Sequence, residues 1–412
     1  MVTRRVMHCS VFLYLDFSNG AATANRSLME CLARHGFAVE VLSGTLVDSG
    51  GGQDPAGLLS AMNLAFESDG GYFGWTVGTA GVIAAYPPCL RGTLRGVPFT
   101  VHHRRSSCQG ELDRAVADEF LCLFDAAVAR FRPDVLVTYG GDPLTREILA
   151  RARRHGTATV FTLHNFGYPD PAAFAATDAV LVGSRFSAEH YRRTMGLECN
   201  VLPNLVDAGR VRSERSAPGY LIYVNPSVEK GVYAFARIAD ELGCRRPDIP
   251  VLVIESRGTE TTLVNCGIDL RDRGNVFLMS QTPDPRDFWR VARICLMPSL
   301  WWENQPLVAV EAMVNGIPVI GSDRGGIPET LGKSGVVLPL PERLTPATRI
   351  LPTAEEVAPW VEAIIRLWDD QEFYAEHSRL ALQEARRWAA EVLEPLYVKF
   401  FNEIRAVGPP DA

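Results

Sequence analysis

The sequence predicts an α/β protein made of two successive halves, each a parallel sheet flanked by helices. Three observations carry this reading. Short apolar runs rich in β-branched residues alternate with longer segments of helical period through most of the 412 residues. The rhythm lapses in a polar stretch at residues 207–218, which holds Gly209 and Pro218, and then restarts. A chain of this length with 47% hydrophobic residues also exceeds what one core usually organises.

Taken in order, residues 6–15 read as strand, 22–35 as helix and 38–42 as strand, a βαβ opening. Glycines at 50, 51, 70, 71, 74, 78 and 81 interrupt any long period after that, leaving residues 77–85 as one candidate for a short helix or buried turn. Order resumes with strand 99–102, helix 112–131, strand 135–138, helix 144–154, strand 158–163, strand 179–182, helix 187–195 and strand 200–203. A first domain therefore closes near residue 205. The second half gives strand 220–224, helix 232–242, strands 251–255 and 276–279, helix 285–292, strand 294–297, helix 307–315 and strand 318–321. Helical patterns at 355–368 and 371–400 finish the chain. Two such halves predict sheets facing across a cleft, with ligands beyond the carboxyl ends of the strands.

Forty-one basic against 48 acidic residues give a net charge of −7, which offers no bulk attraction to nucleic acid or an anionic membrane. The nine cysteines are scattered without a CxxC pair, so neither a disulfide framework nor a zinc site is expected and a reduced, cytoplasmic setting fits. Arg4 and Arg5 precede an apolar run, but Asp16 ends it early, and it reads as the first strand rather than a signal peptide. No run of 18 apolar residues exists to span a membrane; a peripheral membrane face stays open.

Several residues carry candidate chemistry. The segment from Ser18 to Thr23, with Gly20, lies between the first strand and first helix, where small residues and free N–H groups admit an anion. It has neither GxGxxG nor a P-loop pattern, so the other reading is an ordinary tight turn. Lys230, before Gly231, holds the matching place in the second half; an ammonium beside a helix N-terminus favours a shared anion, though a solvated lysine is the plain alternative. Arg185 is a second cationic candidate. His164 and Asn165 leave an apolar strand where sites form. His102 and His103, beside Arg104, either grip an acceptor or cap a strand. No set of histidines and acids has metal-ligand spacing, so no metal is expected.

Residues 301–329, WWENQPLVAVEAMVNGIPVIGSDRGGIPE, hold glutamates at 303, 311 and 329 in an apolar setting. Eight helical residues rise about 12 Å, too far for two helical carboxylates to share a proton. Pro306 in the first helical turn leaves Glu303 in the preceding loop and Glu311 on the helix, so that both can face one elongated ligand. Carboxylates that accept paired hydroxyls suit sugars and ribose. Gly325 and Gly326 read as a flexible turn behind them, with Glu329 a third acid.

Residues 298–329 resemble the donor-binding signature of the retaining glycosyltransferases of family 4, which have a GT-B fold of two Rossmann-like domains. Glu303, Glu311, Ala312, Met313, Gly316, Pro318 and Val319 stand in that family's order. Lys230-Gly231, His164, Asn19-Gly20 and Pro203-Asn204 with Asp207 fall where it has its other marks. The resemblance implies residues 1–205 as an acceptor-side domain, 206–385 as the nucleotide-sugar domain, and 386–412 as a crossover helix and tail returning to the first. It further implies a metal-independent transfer, with a nucleoside-diphosphate sugar, UDP- or GDP-linked, as donor substrate and no other cofactor. Glu311 would hold the ribose hydroxyls, Glu303 the sugar hydroxyls and Lys230 the diphosphate. Gly20 would admit that group, His164 would contact the transferred sugar, and Gly325 and Gly326 would shape its pocket. His164, Glu303 and Lys230 are thus the expected catalytic set, and the acceptor is a small molecule, glycan or lipid.

Two departures stand out. The family's arginine before its lysine-glycine is absent, because the strand runs into Val224-Asn225-Pro226; Arg257, Arg324 or Arg185 is then expected to replace it. Leu205 replaces a common junction glycine. The competing functions are a nucleotide-sugar epimerase or hydrolase, and a catalytically silent binding protein.

Overall fold

The computed structural model describes residues 3–47, 55–61, 64–69, 89–102, 114–215 and 218–406. The chain divides into two compact units. The first comprises Met1–Val182, Tyr191–Leu202 and Glu394–Ala412, and the second Gly183–His190 and Pro203–Leu393. In chain order the first half contains β1 (Arg5–Phe12), α1 (Gly20–Arg34), β2 (Ala38–Leu46), α2 (Pro55–Ala61), β3 (Phe66–Asp69), β4 (Cys89–Leu94), β5 (Val97–His102), α3 (Arg114–Phe131), β6 (Val135–Thr138), α4 (Pro143–Arg154), β7 (Ala158–Leu163), β8 (Ala179–Val182), α5 (Arg185–Met195) and β9 (Asn200–Val201). Among the described residues its nine strands lie in the order β3-β4-β5-β2-β1-β6-β7-β8-β9.

From β5 to β9 neighbouring strands are parallel, as expected. The edge is not: β3, β4 and β5 run antiparallel, which corrects the expectation of a purely parallel sheet. β4 and β5 are joined by Arg95 and Gly96, both at positive φ (51° and 81°), the two-residue geometry that matches strand twist. Arginine rarely marks such a turn, so the hairpin has a faint sequence signature. Residues 77–85, read as a short helix or turn, lie outside the described residues.

The second half contains α6 (Ala208–Val211), β10 (Tyr220–Val224), α7 (Val232–Arg245), β11 (Val251–Ile254), α8 (Glu260–Val264), β12 (Val276–Met279), α9 (Arg286–Trp289), β13 (Ala292–Met297), α10 (Leu307–Val314), β14 (Val319–Ser322), α11 (Ile327–Leu331), β15 (Val336–Leu338), α12 (Ala354–Asp369), α13 (Gln371–Ala385) and α14 (Ala390–Glu403). Its six strands, in the order β12-β11-β10-β13-β14-β15, are all parallel. Central strands buried on both faces need continuous apolar runs, and β10 and β13 supply them with Leu221, Ile222, Tyr223, Ile294, Cys295 and Leu296, all 1% exposed or less. α7 and α12 cover this sheet with Phe235, Ile238, Trp360 and Ile364.

The stretch 371–400 reads as one helix but is two. A 3-10 turn at Arg386–Trp388 and an extended Ala389 (ψ 147°) separate α13 from α14. Pro395 stands inside α14, beyond the break, and does not cause it. From Glu394 onward the chain belongs to the first unit. There Phe401 is fully buried and the Tyr397 hydroxyl donates to Leu202 O at 3.1 Å. Among the described residues no helix is long and apolar enough to cross a membrane.

Candidate functional site

In the second unit, the loops following β10 and β13 are stitched together by the backbone. Glu229 O accepts the N–H groups of both Leu300 and Trp301 at 3.0 Å. Gly231 caps α7 at φ +79°, and a Cβ there would lie 1.8 Å from Pro298 O. Only glycine permits this approach. It places Lys230 against the second loop, where its Nζ meets Glu303 Oε1 at 2.5 Å. The Ser299 hydroxyl donates to the same oxygen at 3.1 Å, which leaves Oε2 of the buried Glu303 facing neither group.

A second backbone clamp fixes Glu303 from the other side. Glu303 pairs with Gly325 as a parallel bridge, and Gly326 N–H donates to Glu303 O at 2.6 Å. Gly325 lies at φ +60°, with a would-be Cβ 2.6 Å from both N and O of Glu303; at Gly326 a Cβ would sit 2.1 Å from Asn304 O. These glycines are held tightly, which corrects their reading as a flexible turn. The third acid also has a settled task. Glu329, in α11, accepts the N–H groups of Arg185 and Phe186 at 3.0 Å each and so satisfies two orphan donors at the start of α5.

Glu311 stands on α10, after Pro306, whose extended backbone (ψ 111°) starts the helix. Burial raises its carboxyl to about 7, an effect opposed by the Trp289 indole, which donates to Oε2 at 3.1 Å. The charge of Glu311 adds to burial in pushing the neighbouring Cys295 thiol upward.

The expected replacements for the missing arginine separate by location. Arg324 donates to the carbonyls of Leu340 and Pro341 at 3.0 and 3.3 Å. Arg185 is exposed at the start of α5. Arg257 is exposed beside Gly258, whose N–H goes to Asn225 Oδ1 at 3.0 Å. Asn225 takes the arginine's place in the sequence at φ +62°, a conformation that asparagine tolerates.

In the first unit, Gly20 is the first residue of α1. It is exposed, with nothing within 4 Å of a would-be Cβ. Asn19 caps that helix by accepting from Ala21 N and Ala22 N. His164 follows β7, half-buried, with its pKa lowered to about 4 by burial. Asn165 is occupied in its own turn, its Oδ1 accepting Gly167 N–H and its carbonyl the Tyr191 hydroxyl. His102 is buried, 3.4 Å from Glu119, while residues 103–113 lie outside the described residues. One grouping among the described residues brings possible metal-ligating atoms within 4.8 Å of one another, namely Cys31, His35 and Glu394. The Arg34 guanidinium shares that carboxylate.

The structure therefore brings Lys230, Glu303, Gly325 and Gly326 together and places Glu311 on the next helix. Ser299, Trp289 and Asn225 escape sequence reasoning. The first two have no local marker, whereas Asn225 was visible only as a missing arginine.

The family described as Glycosyltransferase Family 4 matches residues 18–210, and that described as Glycosyl transferases group 1 matches residues 219–370. No curated protein matches the chain in sequence. Among solved structures, sucrose-phosphate synthase from Thermosynechococcus elongatus is similar, with 15% identity over 97% of this chain and 98% of that one and a TM-score of 0.68. The catalytic domain of starch synthase IV from Arabidopsis thaliana, bound to ADP and acarbose, gives 12% identity over 97% and 99% of the two chains at a TM-score of 0.69. The pneumococcal O-GlcNAc transferase GtfA, in complex with UDP and GlcNAc, gives 9% over 98% and 99% at 0.66. With the two families matching successive halves of the chain, and full-length fold similarity to such enzymes, the protein is a GT-B-fold glycosyltransferase related to the family 4 and group 1 enzymes.

Proposed function

We propose that the protein moves a sugar, with retention of configuration, from a nucleoside-diphosphate sugar to a hydroxyl of an acceptor. The observation that carries this reading is the grouping of Lys230, Glu303 and Ser299 at the carboxyl ends of β10 and β13, with Glu311 on the helix that follows. In this reading the second unit is the donor side. Glu311 accepts the ribose hydroxyls, the free oxygen of Glu303 accepts sugar hydroxyls, and Lys230 turns part of its charge to the diphosphate. Gly325 and Gly326 shape the sugar pocket, and Arg257, on the loop tied to Asn225, supplies the cation that the sequence lacks beside Lys230. The nucleotides bound by the similar starch synthase and O-GlcNAc transferase support a nucleotide-linked donor.

The first unit is the acceptor side, with Gly20 admitting the diphosphate and His164 contacting the transferred sugar. The acceptor oxygen forms its bond to the anomeric carbon as the bond to the diphosphate breaks, and the acceptor proton passes to the departing phosphate oxygen. Fixed positive groups stabilise the charge that develops on that leaving group, so the reading needs no metal.

The test is a thermal-shift screen of the purified protein against nucleotide sugars, followed by assay of nucleoside-diphosphate release with candidate acceptors. Stabilisation by a nucleotide sugar, with release that depends on an acceptor, is expected. Release in water alone would favour a hydrolase, and the absence of any nucleotide shift would overturn the reading.

A further inference from the structure

Asn25, 1% exposed in α1, sets its side-chain amide against Nε2 of His164. Its Nδ2 lies 2.9 Å from Ala21 O and 3.1 Å from His164 Nε2, while its Oδ1 lies 3.1 Å from the Thr162 hydroxyl. The carbonyl of Ala21 fixes which way the amide points. Turned over, the amide would set its oxygen against that carbonyl oxygen, acceptor against acceptor. Both Nδ2 hydrogens are then assigned, one to Ala21 and one to His164, and an amide nitrogen cannot accept. His164 Nε2 must therefore be the acceptor and carry no proton. A neutral imidazole has one N–H, which falls on Nδ1.

We propose that Asn25 is a positioning residue that holds His164 as the neutral Nδ1–H tautomer, so that the ring meets its substrate as a hydrogen-bond donor and not as a base. The environment keeps the ring uncharged. Burial lowers it to about 4. The Tyr139 ring stands perpendicular to it at 5.8 Å, and His8, on β1, is itself buried and lowered to about 3, first by burial and then by His164. The partner is a sugar oxygen, either a hydroxyl or the ring oxygen, a step that rests on the function proposed above. Its consequence is that His164 takes no proton from the acceptor, which leaves the departing phosphate oxygen as the proton's destination.

The test is nitrogen-15 NMR of the full-length protein with labelled histidine, the His164 signals being assigned by their loss in His164→Gln. Protonated Nδ1 and bare Nε2 at pH 7 are expected. A proton on Nε2, or a charged ring, would overturn the proposal even if sugar transfer is observed. If Nδ1–H is found but no nucleotide sugar is turned over, the positioning stands and the function reading falls. In Asn25→Asp the carboxylate demands a donor. The proton should move to Nε2, a new ionisation should enter the pH–rate profile between pH 6 and 8, and kcat/KM for the donor should drop at least tenfold. An unchanged tautomer in that variant would also overturn the proposal, and the wild-type spectrum decides the matter if the variant does not fold.

Discussion

Glu311 carries a charge at a cost to stability. Its carboxyl is raised to about 7 by burial, against the pull of the Trp289 N–H, so folding favours the protonated form. A raised acid contributes stability that is complete below its unfolded value and is lost as pH rises through about 7. Glu311→Gln keeps the shape and removes the charge. Relative to the parent it should gain on the order of 2 kcal/mol above pH 8, a gain that vanishes below about pH 4, as read by urea unfolding at both pH values. Its nucleotide affinity should fall at least tenfold at pH 8, and the parent's affinity should fade in acid while the variant's does not. A pH-independent stability difference would contradict the burial account. At this scale the sequence was readable for local placement, with Glu303 in the loop and Glu311 on the helix that follows. It was silent where partners meet across the fold: Asn25 and His164 are 139 residues apart, and no pattern in either neighbourhood points to the other.

Glycines at two elements behave differently under the same substitution. Gly325, at φ +60° and pressed on the backbone of Glu303, cannot take a side chain without moving that glutamate. Gly325→Ala should cost about 2 kcal/mol or more in thermal or chemical unfolding and raise KM for the donor. Gly20, at the open first turn of α1, should accept alanine with stability changed by less than about 1 kcal/mol, yet bind a nucleoside diphosphate more weakly if that group approaches there. Unchanged binding in a well-folded Gly20→Ala protein would remove Gly20 from the site. Most elements could be read from periodicity, because strands buried on both faces must be continuously apolar and helices must show one apolar side. At the antiparallel edge β5 was read as a strand but β3 and β4 were not, because glycines interrupt the pattern around them and the β4–β5 turn uses Arg95. The divided C-terminal helix resisted because 386–389 contains no glycine or proline to mark the break.

For the whole molecule, the division into two α/β units followed from chain length and from the lapse of rhythm near residue 207. The return of the C-terminus to the first unit was expected only through the family resemblance. Hydrophobic pattern alone says that residues 390–403 bury a face, not which core receives it. Ending the chain after Leu393 should destabilise the first unit by about 4 kcal/mol, roughly 2 each for the lost burial of Tyr397 and Phe401. It should also make residues 1–182 the first to be cut in limited proteolysis, while unchanged protection there would show that the tail contributes little. The same threading bears on how the protein is made. All segments of the second unit, Gly183–His190 and Pro203–Leu393, leave the ribosome before Glu394, whereas the unit that begins at the N-terminus still waits for its last piece. Synthesis and completion therefore run in opposite order: the half translated first closes last, and until then its socket for Phe401 stands open to chaperones and to other nascent chains.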